Sequence, residues 1–164
     1  MSSIKLSREY YLLGISLWLA FSLAILPLPL LAKWMRPDWV FLMVCYWVLW
    51  YPDRYQIGFA WCVGLLQDVL TGSLLGVHAF GFTLVAYILA RWHRQIQMFP
   101  LWQQASLIGS LALLIKVLTY LLLTMTSPIT VPGLYWVSPF ITALLWIWVS
   151  TLLRTLIQPL DMTA

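Results

Sequence analysis

The chain has 164 residues, of which 63% are hydrophobic and 9% charged. A soluble domain carries about 25% charged residues, so this composition excludes a protein whose surface is solvated by water. The formal net charge of +4 does not indicate nucleic-acid binding, because the Lys and Arg residues lie at the ends of apolar runs. We therefore predict an all-α integral membrane protein that forms one transmembrane helical domain over residues 1–164.

Six apolar runs are predicted to be transmembrane helices, since a span needs roughly 20 apolar residues to cross ~30 Å of hydrocarbon. The first run follows Lys5 and Arg8 as a signal peptide would. Residues 30–32 offer no small-x-small cleavage site and further spans follow, so we interpret this run as a retained helix. The predicted spans are residues 10–27, 39–51, 55–70, 74–92, 102–126 and 135–157.

The second span is short for a full crossing, since its 13 residues, between Pro37-Asp38 and Pro52-Asp53, extend about 20 Å. If it were re-entrant, the later topology would invert. The positive-inside rule argues against that inversion and places both termini in the cytoplasm. Two basic residues outside the spans, Lys33 and Arg36, are then external. Six are cytoplasmic, namely Lys5, Arg8, Arg54, Arg91, Arg94 and Arg154.

Small residues spaced four apart occur on the third span around Asp68. If the helix continues, Gly64, Asp68 and Gly72 share one face, and small residues let two helices approach closely. One interpretation is a packing seam in which Asp68 caps the next helix, and the other is a buried carboxylate that binds a partner helix or a ligand. In the first span we favour internal packing. The small residues concerned are Gly64, Gly72 and Gly76, with Ala20 and Ala24 in the first span.

Three ionisable residues need an explanation inside apolar runs, where charge is costly: Asp68, His78 and Lys116. Asp68 lies 13 residues beyond Tyr55 and Lys116 lies 14 beyond Trp102, so both stand roughly 20 Å above the inner face. We hypothesise that Asp68 and Lys116 pair across spans 3 and 5, with His78 close by. The alternative is that Lys116 snorkels to the outer headgroups.

The sequence contains no recognisable catalytic motif. It has no Gly-x-Ser-x-Gly elbow, no His-Glu-x-x-His and no Walker loop. His78 and His93 flank span 4 at opposite ends, too far apart to ligate one metal ion. Cys45 and Cys62 lie inside apolar segments and are predicted to be small buried residues. We predict no enzyme activity, no cofactor and no metal site.

The pattern of Pro, Trp, Gly and Asp residues resembles the rod shape-determining protein MreD family. The resemblance covers nearly the whole chain and is densest between Arg36 and Ala105. Between residues 106 and 145 only hydrophobicity matches, so nothing is carried over to Lys116. The stretches that carry it are 36–39 (Arg-Pro-Asp-Trp), 46–49, 52–54, Gly58, 64–68 (Gly-Leu-Leu-Gln-Asp), 71–76 (Thr-Gly-Ser-Leu-Leu-Gly), 86–87, 101–105 and 146–154.

The resemblance implies a non-enzymatic membrane scaffold of the bacterial rod complex in the inner membrane. It would link MreC and the MreB cytoskeleton to lateral peptidoglycan synthesis by RodA and its penicillin-binding transpeptidase, with MreC as the direct partner. The family's fold is similar to the substrate-binding subunits of energy-coupling-factor transporters. A small-molecule transporter subunit is therefore the alternative, although few polar groups are available to line a pocket.

Overall fold

The described part of the chain is helical, and the prediction of an all-α protein is confirmed there. The computed structural model describes residues 2–27, 36–126 and 133–157, without the side chains of 2–8, 123 and 126. The predictions made for residues 28–35, namely the absent cleavage site and an external Lys33, lie outside the described residues. The helices are α1 (Ser2–Ile25), α2 (Trp39–Trp50), α3 (Ile57–Thr71), α4 (Val77–Met98), α5 (Leu101–Thr126) and α6 (Ser138–Ile157), with a 3-10 helix at Gly133–Val137.

Each predicted span overlaps one of these helices, although α1 begins earlier and α4 ends later than predicted. By length and hydropathy, two described segments are able to cross a membrane on their own, Leu101–Leu122 and Gly133–Ile157. Three further apolar segments, in α1, α2 and α3, are shorter. That all six helices cross the membrane, and that both termini are cytoplasmic, stay predictions.

Helix α2 occupies the centre of the bundle. It has 12 residues and is about 18 Å long. It packs against α1, α3, α4 and α6. A helix that is apolar on all sides is either buried in protein or surrounded by lipid. Here the neighbouring helices enclose it, so the second apolar run is a core element. Its buried residues are Val40, Phe41, Leu42, Val44, Cys45, Tyr46, Trp47, Val48 and Leu49.

A few hydrogen bonds fix the position of α2 among its neighbours. The indole Nε1 of Trp47 donates to Ser16 Oγ in α1 at 3.1 Å. The amide Nε2 of Gln97 in α4 donates to the carbonyl oxygen of Leu49 at 2.7 Å. These donors and acceptors lie among apolar side chains, where an unpaired polar group is costly. These directional bonds therefore fix the position of α2 relative to α1 and α4, which apolar packing alone would not specify.

Helices α3 and α4 form a tight hairpin at Gly64. A Cβ atom built on Gly64 would lie 2.4 Å from the Ala79 Cα atom and 2.9 Å from the His78 carbonyl oxygen. Real Cβ atoms do not approach backbone atoms this closely, so only glycine fits. The packing interpretation of Gly64 therefore describes the structure, and its partner is the next helix of the same chain.

The small residues of α1 also pack inside the bundle. Ala20 is buried in the core and Ala24 lies half-buried against it, which agrees with the internal packing favoured from the sequence. Cys45 is buried, but the prediction that Cys62 is buried is wrong. Cys62 shares the outward face of α3 with Leu66 and Val69, four and seven residues further on, and all three are exposed.

Replacing Gly64 by alanine should destabilise the bundle, whereas the same change at Gly58 should not. Gly58 lies in the same helix, and a Cβ there meets nothing within 4 Å. We expect G64A to lose about 1–3 kcal/mol, because the added methyl group forces α3 and α4 apart. Thermal unfolding in detergent micelles, followed by circular dichroism, measures the loss. Equal midpoints for G64A and G58A would contradict the close approach.

Candidate functional site at one end of the bundle

The charged residues of the described chain collect at the two ends of the bundle. At one end, here called the polar end, α2, α4 and α6 begin and α3 terminates. The opposite end is called the basic end. The polar end holds Arg36, Asp38, Asp68, His78, Lys116 and Tyr135, and the basic end holds Glu9, Asp53, Arg54, Arg91, Arg94 and Arg154.

The turn between α3 and α4 depends on two glycines with positive φ. Gly72 (φ 64°) ends α3, and its backbone N–H donates to the carbonyl oxygen of Asp68. Gly76 (φ 101°) precedes α4. Side chains other than glycine are strained in this left-handed region. Gly64, Asp68 and Gly72 were expected to share one face if the helix continued, and this condition is not met, because the chain leaves the helix at Gly72.

The Asp68 carboxylate is fully buried and accepts hydrogen bonds on both oxygens. Oδ1 accepts from Ser73 Oγ at 2.7 Å, from the His78 backbone N–H at 3.1 Å and from His78 Nδ1 at 2.8 Å. Oδ2 accepts from the backbone N–H groups of Gly76 at 2.8 Å and Ala79 at 3.3 Å. These donors lie at the start of α4, where the helix dipole also favours a negative charge. Asp68 therefore caps the following helix.

Lys116 pairs with Asp38, which comes just before α2. Its Nζ atom lies 3.6 Å from Asp38 Oδ2 and 4.8 Å from the centroid of the Tyr135 ring. The Tyr135 hydroxyl donates to the carbonyl oxygen of Lys116 at 3.3 Å. The hypothesis that Lys116 pairs with Asp68 is wrong, because the oxygens of Asp68 already accept from the start of α4.

The start of α6 is tied to the same place. The Ser138 hydroxyl donates to the carbonyl oxygen of Arg36 at 2.6 Å. The backbone N–H of Asp38 donates to Thr142 Oγ1 at 3.3 Å. Sequence reasoning missed these contacts and the part played by Asp38. The signal that could have found Asp38 is its place in the Arg-Pro-Asp-Trp stretch, directly before the most apolar helix.

The Asp68–His78–Ser73 group does not have the geometry of a catalytic triad. In a triad the carboxylate binds one imidazole nitrogen and the serine binds the other. Here both face Nδ1 of His78, with the Ser73 hydroxyl 2.7 Å from the carboxylate and 3.4 Å from Nδ1. Among the described residues no group of three metal-ligating side chains occurs. The chemistry of this group is helix capping.

The suggestion that Gly64, Asp68 and Gly72 form a face for a partner helix does not fit their positions. Gly64 lies against Ala79, Asp68 is enclosed, and Gly72 belongs to a turn. Gly64 and Asp68 hold α3 and α4 together, and Gly72, which is exposed, ends α3.

The outer surface of the bundle is apolar, with large side chains fully or half exposed on its helices. Many polar side chains of its helices bond to a carbonyl oxygen of their own helix, and a smaller set joins one helix to another. The fold and site therefore define a small helical protein of the membrane-associated class. Examples of its exposed side chains are Tyr11, Trp18, Leu75, Leu144 and Trp148.

Comparison with known proteins identifies the family. The family model for the rod shape-determining protein MreD matches residues 7–156, and the chain belongs to this family. The rod shape-determining protein MreD of Haemophilus influenzae is 32% identical over 139 residues, which cover 83% of this chain and 84% of that relative. No solved structure matches. These two matches confirm the resemblance predicted from the sequence. The family acts in rod shape determination and is not a known enzyme family.

Removing the charge of Asp68 should destabilise the protein more than removing that of Asp38. An asparagine at 68 keeps one acceptor but turns an NH2 group toward backbone donors, so we expect D68N to lose about 2 kcal/mol or more. The matched change D38N affects a partly exposed pair and should cost less than about 1 kcal/mol. Unfolding in detergent micelles measures both. A D38N loss as large as that of D68N would contradict the capping role.

Exchanging charges identifies the partner of Lys116. Lys116→Asp alone should lower the thermal midpoint, because it places two carboxylates together near Asp38. Adding Asp38→Lys should recover much of the loss, whereas adding Asp68→Lys should recover none. Double-mutant cycles on the thermal midpoint in micelles measure the two couplings. Recovery with Asp68→Lys would restore the hypothesis drawn from the sequence.

Proposed function

We propose that this chain is a non-enzymatic membrane scaffold of the bacterial rod complex. In this proposal it maintains cell shape by linking MreC and the MreB cytoskeleton to lateral peptidoglycan synthesis. MreC is the direct partner, and RodA with its penicillin-binding transpeptidase completes the complex. Membership of the rod shape-determining family is the observation that carries the proposal.

The small volume of chain outside the helices supports a scaffold role. The segments that connect α2 to α3, α3 to α4 and α4 to α5 have six, five and two residues (51–56, 72–76 and 99–100). Such segments are too short to build a domain in water. The surfaces available to other proteins are therefore mostly the apolar sides of helices, which suit partners that are themselves in the membrane.

The distribution of charge supports an orientation. The basic end carries four arginines among the described residues, whereas the polar end carries Arg36 and Lys116. The positive-inside rule then places the basic end in the cytoplasm of a multi-pass inner-membrane protein with both termini inside. The polar end would face the compartment that contains the periplasmic domain of MreC.

The transporter alternative requires a pocket with several convergent polar groups. The buried carboxylate of the polar end, Asp68, is instead satisfied by neighbouring donors, and Lys116 is paired with Asp38. We therefore retain the scaffold as the proposal and use the transporter as the competing outcome of the test.

Depletion of the protein in its own bacterium tests the proposal. We expect rod-shaped cells to become round, and the tagged full-length protein to copurify with MreC from detergent-solubilised membranes. A tagged multi-pass protein of similar size from the same membrane serves as the purification control. Normal shape after depletion, together with loss of uptake of one nutrient, would decide for the transporter.

A further inference from the structure

Helix α4 is broken near the basic end of the bundle. Trp92 has φ −116° and ψ 17°, outside the helical region, although the helix resumes and continues to Met98. A recess of about 450 Å³ lies at this break, lined by the five consecutive residues 91–95 (Arg-Trp-His-Arg-Gln). Five consecutive residues of a regular helix point in all directions around its axis. The kink is therefore what allows them to line one recess.

The recess carries positive charge without a counter-ion in the described part of the chain. Arg91 and Arg94 are exposed, and neither forms an ion pair there. Three of the five acidic residues of the chain are engaged elsewhere, and Asp161 lies outside the described residues. The fifth, Asp53, lies at the same end of the bundle but forms no ion pair with either arginine in the described part of the chain. The engaged carboxylates are Glu9 with Arg54, Asp38 with Lys116, and Asp68 with His78.

The segment that follows the kink is held in place. Ile96 is buried in the core. Gln97 donates to the carbonyl oxygen of Leu49, and Gln104 Nε2 donates to the carbonyl oxygens of Ile96 at 3.1 Å and Phe99 at 3.0 Å. Because these bonds join the segment to α2 and α5, the two arginines are presented by a fixed support. A site that is organised before its ligand arrives loses less entropy on binding.

The surroundings of the recess have the composition of a membrane interface. Trp92, which lines the recess, is 53% exposed, and Met98 and Trp102, at the same end of the bundle, are 84% and 66% exposed. Indole rings prefer the headgroup level of a bilayer, which is also the level of the lipid phosphates. A small soluble anion would make no stabilising contact with these apolar side chains, whereas the apolar part of a lipid would cover them.

We propose that this recess binds the phosphate of an anionic phospholipid headgroup, with Arg91 and Arg94 as its charged ligands and Trp92 against the glycerol region of the lipid. Guanidinium groups bind phosphate oxygens through paired, charge-assisted hydrogen bonds. Basic pockets at the cytoplasmic ends of membrane helices are suited to such headgroups. Soluble phosphate esters share this chemistry, and the exposed aromatic residues favour the lipid as its source.

Native mass spectrometry of the delipidated full-length protein in detergent tests the site. Phosphatidylglycerol and zwitterionic phosphatidylcholine are titrated separately, and the lipid-bound fraction is measured. The wild type should bind phosphatidylglycerol at least about tenfold more tightly, and the double variant R91Q/R94Q should lose this preference. Because both side chains are exposed, the thermal midpoint should stay unchanged.

Two matched variants separate a site from general positive charge. K5Q/R8Q removes two charges near the start of α1 and should keep the preference. R91K/R94K keeps both charges but removes the paired donors, and should weaken binding by about fivefold. Equal loss in K5Q/R8Q and R91Q/R94Q, or full binding in R91Q/R94Q, would overturn the proposal.

The source of the phosphate is tested with soluble competitors. Inorganic phosphate and glycerophosphoglycerol are added at the concentration of lipid that half-saturates the protein. If a lipid is the ligand, neither compound should displace phosphatidylglycerol. Displacement by either at this concentration would assign the recess to a soluble phosphate ester and overturn the lipid assignment.

Discussion

The burial of α2 is the constraint on which the rest of the bundle depends. Nine of its 12 residues are buried, and Trp39, Met43 and Trp50 are partly exposed. Helices α1, α3, α4 and α6 surround it. With 12 residues, α2 is too short to match ~30 Å of hydrocarbon by itself. Enclosure by its neighbours removes the need for such a match, because other helices meet the lipid.

The capped α3–α4 hairpin shows how this protein accommodates a carboxylate among apolar helices. An ionised group in such surroundings is tolerated when its hydrogen bonds are satisfied and its charge is compensated. Asp68 obtains both from the first turn of α4, with His78 and Ser73 completing its shell. The backbone carbonyl oxygen of Asp68 accepts from Gly72 at the end of α3, and its carboxylate caps the start of α4. Its position in an apolar run is explained without a ligand.

The sequence was sufficient for the helices, the class of protein and the family, because apolar runs and the spacing of Pro, Trp and Gly are local features. It also allowed two roles for Asp68, and capping was one of them. The four-residue spacing of Gly64, Asp68 and Gly72 suggested one shared helix face. It could not reveal that Gly72 adopts a positive φ and ends the helix. Counting residues along the helix predicted how deep Lys116 lies but not which neighbouring helix it faces. Asp38 was therefore missed as its partner.

The central position of α2 has a consequence for biogenesis. Asp38, at the start of α2, is hydrogen-bonded to Thr142, which lies 104 residues later. During synthesis α2 is complete long before α6 is translated, so the flank of α2 that α6 covers is uncovered in the interval. Closure of the centre therefore comes late in assembly and requires α6.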